Sequence, residues 1–219
     1  MIGFMKLKFD PNQQYQLDAI DAAVDIFAGQ PADSDGATRH MDQDGQLSLE
    51  ATIAKGNNLT LDVAQIIENT HKIQEKNGIE KSKVKEGGFS IPMTFPLEIS
   101  EKSLKHGMNF SIEMETGTGK TYVYLRTIHE LHQHYGWKKF IIVVPSVAIR
   151  EGVLKNLEIT KEHFAELYNK PEMDYYVWDS KKTGQAREFA TNDTLQIMVI
   201  TIDSFAKAQN VMNRQSDYG

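Results

Sequence analysis

The stretch Glu113-Met-Glu-Thr-Gly-Thr-Gly-Lys-Thr121 decides how the rest of the chain is read. A short apolar run, Asn109–Ile112, precedes it, and a helix-like segment, Tyr122–His134, follows. A strand, a glycine-bearing loop ending in Lys-Thr, and a helix form the order in which proteins hold the phosphates of a nucleotide. In that arrangement the backbone N–H groups of Thr116, Gly117, Thr118 and Gly119 face phosphate oxygens. Lys120 reaches the β- and γ-phosphates, and the Thr121 hydroxyl ligates Mg²⁺. The fuller form of the motif has a glycine where this chain has Met114, so the match is to its second half. A plain strand-to-helix turn leaves a lysine and two glycines packed this tightly unexplained.

Working outward, the 219 residues suffice for one large or two small domains, and 40% hydrophobic with 25% charged residues supports a sizeable core. No apolar run is long enough to cross a membrane, and Met1-Ile-Gly-Phe-Met-Lys6 lacks the apolar stretch and cleavage site of a signal peptide. The absence of cysteine excludes disulfides and thiolate metal sites and suits a reducing cytoplasm. A net charge of −6 argues weakly against a basic nucleic-acid module, because a local track of contacts can still follow a phosphate backbone.

Periodicity predicts a helix over Gln13–Ala28 and another over Thr60–Lys76, the latter ended by Asn77-Gly78. Gln30–Gln46 reads as a loop; its Asp42-Gln-Asp44-Gly45 lacks the ligand spacing of a calcium site. Phe89–Ile99, interrupted by Pro92 and Pro96, suits an edge strand. From Asn109 on, strand and helix patterns alternate. Strands are expected at Phe140–Val144, Tyr175–Trp178 and Leu195–Thr201. Helices are expected at Ser146–Leu157, Lys161–Tyr168, Gln185–Ala190 and from Asp203. Apolar runs buried on both sides, alternating with helices, mean an α/β fold with a doubly wound parallel sheet. The expected organisation is an N-terminal helix region, 1–29, an inserted subregion, 30–108, and the sheet domain, 109–219. The chain closes on Ser-Asp-Tyr-Gly219 without a final element, which is expected of a truncated domain.

Two further stretches sit where such a sheet places its ligands, at carboxyl ends of strands: Val143-Val-Pro-Ser-Val-Ala-Ile-Arg150 and Val199-Ile-Thr-Ile-Asp-Ser-Phe205. Taken alone they are either capped strand-to-helix turns or places where hydroxyls and helix N-termini hold successive phosphates of a nucleic-acid strand. Other clusters weigh less. His129, His132 and His134 read as a solvated helix end, and Tyr175, Tyr176 and Trp178 as sheet packing rather than a stacking platform for bases.

Glu113–Tyr122, together with Tyr15-Gln-Leu-Asp-Ala-Ile20 and Ile67–Gly78, resembles the N-terminal part of the Res subunit of type III restriction–modification enzymes, a helicase-like motor family. The resemblance implies a RecA-like first motor domain that binds ATP and Mg²⁺ through Thr116, Gly117, Thr118, Gly119, Lys120 and Thr121. It implies that Gln16 recognises adenine, that Pro145, Ser146 and Arg150 contact the DNA backbone, and that Thr201, Asp203 and Ser204 form a second such contact. Double-stranded DNA and the Mod methyltransferase subunit are the implied partners. The family's acidic Asp-Glu-x-His is absent from this chain. The fragment alone is therefore expected to bind ATP weakly and not to hydrolyse it usefully. Two other functions remain: a phosphate-loop kinase or small-molecule phosphotransferase, for which Arg126 and Arg150 are the candidate lid arginines, and a DNA-binding module with a relic loop.

Overall fold

In the computed structural model the described residues are 8–32, 56–81, 84–85, 88–89, 110–179 and 182–206. In chain order the elements are α1 (Gln14–Asp25), α2 (Val63–Lys76), the short strands β1 (Val84–Lys85) and β2 (Gly88–Phe89), α3 (Lys120–Tyr135), β3 (Lys139–Val144), α4 (Val147–Leu167), β4 (Met173–Val177), α5 (Thr183–Thr191), β5 (Leu195–Thr201) and α6 (Ile202–Ala206).

The sheet is organised by β5, every residue of which is buried. It pairs in parallel with β3 on one side and β4 on the other. Side chains alternate along a strand. Leu195, Ile197 and Val199 therefore meet Leu125 and Ile128 of α3 and Val153, Leu157 and Phe164 of α4. Met198 and Ile200 pack on the opposite face with Trp178 and, from α5, Ala186 and Phe189. Burial on both faces is why β5 reads as an unbroken apolar run, and it makes the fold the expected doubly wound α/β sheet. Tyr176 and Trp178 pack with α5 and Tyr175 with the α3–α4 layer, so the three aromatics serve the sheet's two faces.

Three expectations change. Phe110–Glu115 pairs with no strand among the described residues, so the phosphate loop is entered from an unladdered segment. Two of its side chains pack on the α1–α3 layer instead. Phe110 meets Phe27 edge-on at 6.4 Å, and Met114 packs among Ile20, Val24 and Val123. The two helices expected between Ser146 and Tyr168 are one. Val153, Leu157, Thr160 and Phe164 recur every three or four positions on its buried side, and Thr160 Oγ1 donates to the Asn156 carbonyl at 2.6 Å. The histidine cluster is split: His129 is 4% exposed and stacks on Tyr168, whereas His134 is exposed. The stretch 33–55, which contains Asp42–Gly45, most of Phe89–Ile99, Asn109, and the helix expected beyond Ala206 lie outside the described residues.

The region before the loop is stitched to the sheet domain. Asn57 offers its amide to the start of β3: Oδ1 accepts from the N–H groups of Lys138 and Lys139, each at 2.9 Å, and Nδ2 donates to the Lys139 carbonyl at 2.7 Å. The Asn58 carbonyl accepts from Trp137 Nε1 at 3.1 Å and from Gln30 Nε2 at 3.0 Å. Asp62 caps α2 by accepting from Gln65 N–H, and Gln65 returns a bond to Asp62 N–H, a reciprocal capping box. Asn69 then ties α2 to α1 through the carbonyls of Ile26 and Ala28. No helix among the described residues is long and apolar enough to cross a membrane.

Candidate nucleotide-binding site

The loop begins with a turn that L side chains resist. Gly117 and Gly119 both have φ of +84°, the left-handed region where only glycine sits without strain. This reverses the chain into the first turn of α3, whose N-cap is Gly119 with no side-chain cap. α2 and α4 are closed by Asp62 and Ser146, so the open N-terminus of α3 leaves its first N–H groups for a ligand.

Lys120 curls back over the loop. Its Nζ donates to the Glu115 carbonyl at 2.6 Å, and Thr118 Oγ1 donates to the same oxygen at 2.7 Å. Lys120 is exposed, and among the described residues its ammonium is held by one neutral acceptor, which an anion would displace at little cost. Gln16, on the first turn of α1, is 9% exposed, and its Nε2 donates to the Thr118 carbonyl at 2.9 Å. A Cβ at Gly119 would stand 2.7 Å from that same Nε2. Gln16 and the loop, 102 residues apart in sequence, are thus in direct contact.

Between them opens a cleft of about 770 Å³. Thr116, Gly117, Gly119, Lys120 and Thr121 form one wall, and the lead-in Lys8–Asp10 with Gln13, Tyr15 and Gln16 the other. The volume is in the range of small-molecule and cofactor sites. Phe9, Tyr122 and Asn156 also line it. Phe9 stacks on Tyr122 with centroids 5.8 Å apart, and the Tyr122 hydroxyl shares a 2.8 Å hydrogen bond with His163 Nε2. Burial, then the nearby Arg126 charge, lower the pKa of His163. Sequence reading missed these residues. Phe9 stands alone before a proline with no periodic partner, and the pairing of Tyr122 with His163 spans 41 residues that only the α3–α4 packing brings together.

The two strand-end turns lie side by side, because β3 and β5 end in register at Val144 opposite Thr201. Ser146 caps α4 by accepting from Ile149 N–H at 3.3 Å, and Pro145 and Ser146 are exposed. Arg150 pairs with Glu151 at 2.7 Å. Thr201 is buried, and its Oγ1 accepts from Ser204 N–H at 3.4 Å and bonds the Ser204 hydroxyl at 2.9 Å, while Asp203 is exposed. The cap at the start of α6 is therefore Thr201. Neither turn lines the cleft, and Asn156, which does, is about 15 Å along α4 from Ser146 at 1.5 Å per residue. Neither Arg126 nor Arg150 lines the cleft. Arg126 is buried against Pro11 and Tyr168 instead. Among the described residues no group of three His, Cys, Asp or Glu side chains is placed to hold a metal.

A parallel sheet covered on both faces, with a Gly-Thr-Gly-Lys-Thr loop opening a long helix, defines the class: a RecA-like helicase α/β domain. Within that class the chain belongs to the family described as Type III restriction enzyme, res subunit, whose profile matches residues 13–219. It is 30% identical over 204 residues to the Type III restriction-modification enzyme EcoPI Res subunit of Escherichia phage P1, covering 92% of this chain and 17% of that protein. It is 30% identical over 203 residues to the EcoP15I Res subunit of Escherichia coli, with the same coverage of both chains. It is 37% identical over 109 residues to the StyLTI Res subunit of Salmonella typhimurium, covering 42% of this chain and 11% of that one. The chain thus spans less than a fifth of the length of these relatives.

Proposed function

We propose that this chain is the ATP-binding front of a type III restriction enzyme Res subunit, part of an ATP-dependent DNA translocase that supports endonucleolytic cleavage. The observation that carries this reading is the cleft in which Gln16 and the Thr116–Thr121 loop meet directly. The loop N–H groups and the α3 N-terminus hold the phosphates. Lys120 leaves the Glu115 carbonyl for the phosphate oxygens, and Gln16, whose amide both donates and accepts, reads the adenine edge. The Thr121 hydroxyl would hold Mg²⁺, which would supply charge neutralisation at the phosphates.

Pro145, Ser146 and Arg150 form one contact to the backbone of double-stranded DNA; Thr201, Asp203 and Ser204 form the other. Arg150 is free to exchange its exposed Glu151 partner for a phosphate, since such surface pairs contribute about 1 kcal/mol or less. With Thr201 turned inward, Asp203 and Ser204 lie nearer the surface. Work with the Mod methyltransferase subunit, a cytoplasmic location and the division 1–29, 30–108 and 109–219 belong to the same proposal. The phosphotransferase reading loses its lid, because neither candidate arginine reaches the cleft.

Titration of the chain with Mg-ATP tests the proposal. Lys120→Ala is expected to weaken binding at least tenfold, about 1.4 kcal/mol or more. Unchanged binding would contradict the phosphate assignment. A robust ATPase abolished by Lys120→Ala would contradict the expectation that hydrolysis needs the acidic Asp-Glu-x-His that these 219 residues lack.

A further inference from the structure

The base-side wall of the cleft starts with Lys8–Asn12, which carries neither helix nor ladder. Reading a base edge by hydrogen bonds requires that wall to sit within about 0.5 Å of its working position. Its local bonds do not supply this. Asp10 accepts from Asn12 N–H at 2.9 Å and from the Gln13 side chain at 2.8 Å, bonds that reach no further than the start of α1. Phe9 stacks on Tyr122 and meets His163 at a tilt, and such apolar ring contacts are less directional than a hydrogen bond.

A polar tie to the core is made at Pro11, whose carbonyl accepts from Arg126 Nη1 at 2.5 Å. Arg126 is 8% exposed and does not line the cleft. Its Nε donates to the Tyr168 hydroxyl at 3.1 Å, and that hydroxyl donates to Glu130 Oε1 at 2.6 Å. Glu130 also lies 3.6 Å from Arg126 Nε and balances its charge. The guanidinium is therefore fixed from α3 and from the end of α4, and it presents its remaining donors at a set angle. Arg126 also stands about 9 Å along α3 from Lys120 at 1.5 Å per residue. One helix carries both the phosphate-facing lysine and the anchor of the opposite wall.

We propose that Arg126 is a positioning residue for base selection: through Pro11 it holds the Lys8–Gln16 wall in register with the phosphate loop, so that adenine is preferred to guanine only while this tie is intact. The inference rests on the reading that the cleft binds ATP, and it assigns the choice of base to a residue that touches no nucleotide. Arg126→Lys keeps the charge opposite Glu130 but has no fork to span Pro11 and Tyr168. Tyr168→Phe removes the hydroxyl that orients the fork and leaves the ring in place.

The test is displacement of a fluorescent ATP analogue from the 219-residue chain by ATP, by GTP and by inorganic tripolyphosphate. In Arg126→Lys the preference for ATP over GTP is expected to fall roughly fivefold while tripolyphosphate affinity stays within about twofold. Tyr168→Phe is expected to shift the preference the same way by less, and it carries the test should Arg126→Lys fail to fold. An unchanged preference in the folded variants, an equal loss for all three competitors, or no ATP preference in the unsubstituted chain would overturn the proposal. Failure of the unsubstituted chain to take up either ATP or tripolyphosphate would overturn the nucleotide reading first and this one with it, a result distinct from an unchanged preference.

Discussion

At the scale of single residues, the two loop glycines were legible in the sequence as a motif, but not as two different constraints. Gly117 needs glycine only for its backbone angle, since a Cβ there would meet nothing within 4 Å. Gly119 needs it for the same angle and also because a Cβ would stand 2.7 Å from Gln16 Nε2. Gly117→Ala is expected to cost about 1–2 kcal/mol of stability from left-handed strain alone. Gly119→Ala carries the same strain and also pushes Gln16 off the Thr118 carbonyl. Thermal melts and ATP titration of the two variants check this: Gly119→Ala is expected to show the larger melting loss and the larger loss of ATP binding. Equal binding losses would mean that the Gln16 contact does not matter to the ligand. Gln16 itself was legible only through the resemblance. A glutamine on a helix gives no internal sign that it is buried, and its burial comes from a bond to a carbonyl 102 positions away.

At the scale of elements, β5 was read to its exact ends, because a strand buried on both faces shows as unbroken hydrophobicity. α4 was not, because its polar residues from Glu158 to Glu162 interrupt the pattern while Thr160 is turned inward and bonded to the helix backbone. His129 was misread for a related reason. Neighbouring His132 and His134 suggested a wet helix end, yet α3 carries His129 under Phe164 and Tyr168, with ring centroids 4.9 and 5.1 Å away. Burial, with a smaller contribution from the His132 charge, lowers its pKa to about 4, and its Nδ1 has no hydrogen-bond partner among the described residues.

The native state therefore holds His129 neutral, whereas the unfolded chain takes up a proton near pH 6.5. Below that pH the unfolded state binds more protons. The stability from this site is full above about pH 6.5 and is lost as pH falls toward about 4, by about 3 kcal/mol at most. His129→Phe, which keeps the ring stack, is expected to flatten the dependence of unfolding free energy on pH across this window, as read by urea melts at several pH values. An unchanged slope would show that other groups govern acid unfolding.

At the scale of the whole molecule, the alternation of strands and helices after the loop made the sheet legible, and the loop's place before α3 made the cleft legible. The connections between distant parts were not. Asn57 edging β3, Trp137 bonded to Asn58 and Arg126 holding Pro11 are side-chain-to-backbone ties, and such ties leave no periodic trace in a sequence. Together they draw the region before the loop onto the sheet domain, so that one cleft is lined by the Thr116–Thr121 loop and by Lys8–Gln16.

The central claim is that this cleft takes ATP, and residue-resolved NMR of the chain during Mg-ATP addition tests it most directly. With ATP in the cleft, the largest shifts are expected on the backbone amides of Thr116–Thr121 and on the Gln16 side-chain amide, with the Ser146 and Ser204 turns changing little. Shifts absent from the loop, or centred on the strand-end turns instead, would contradict it.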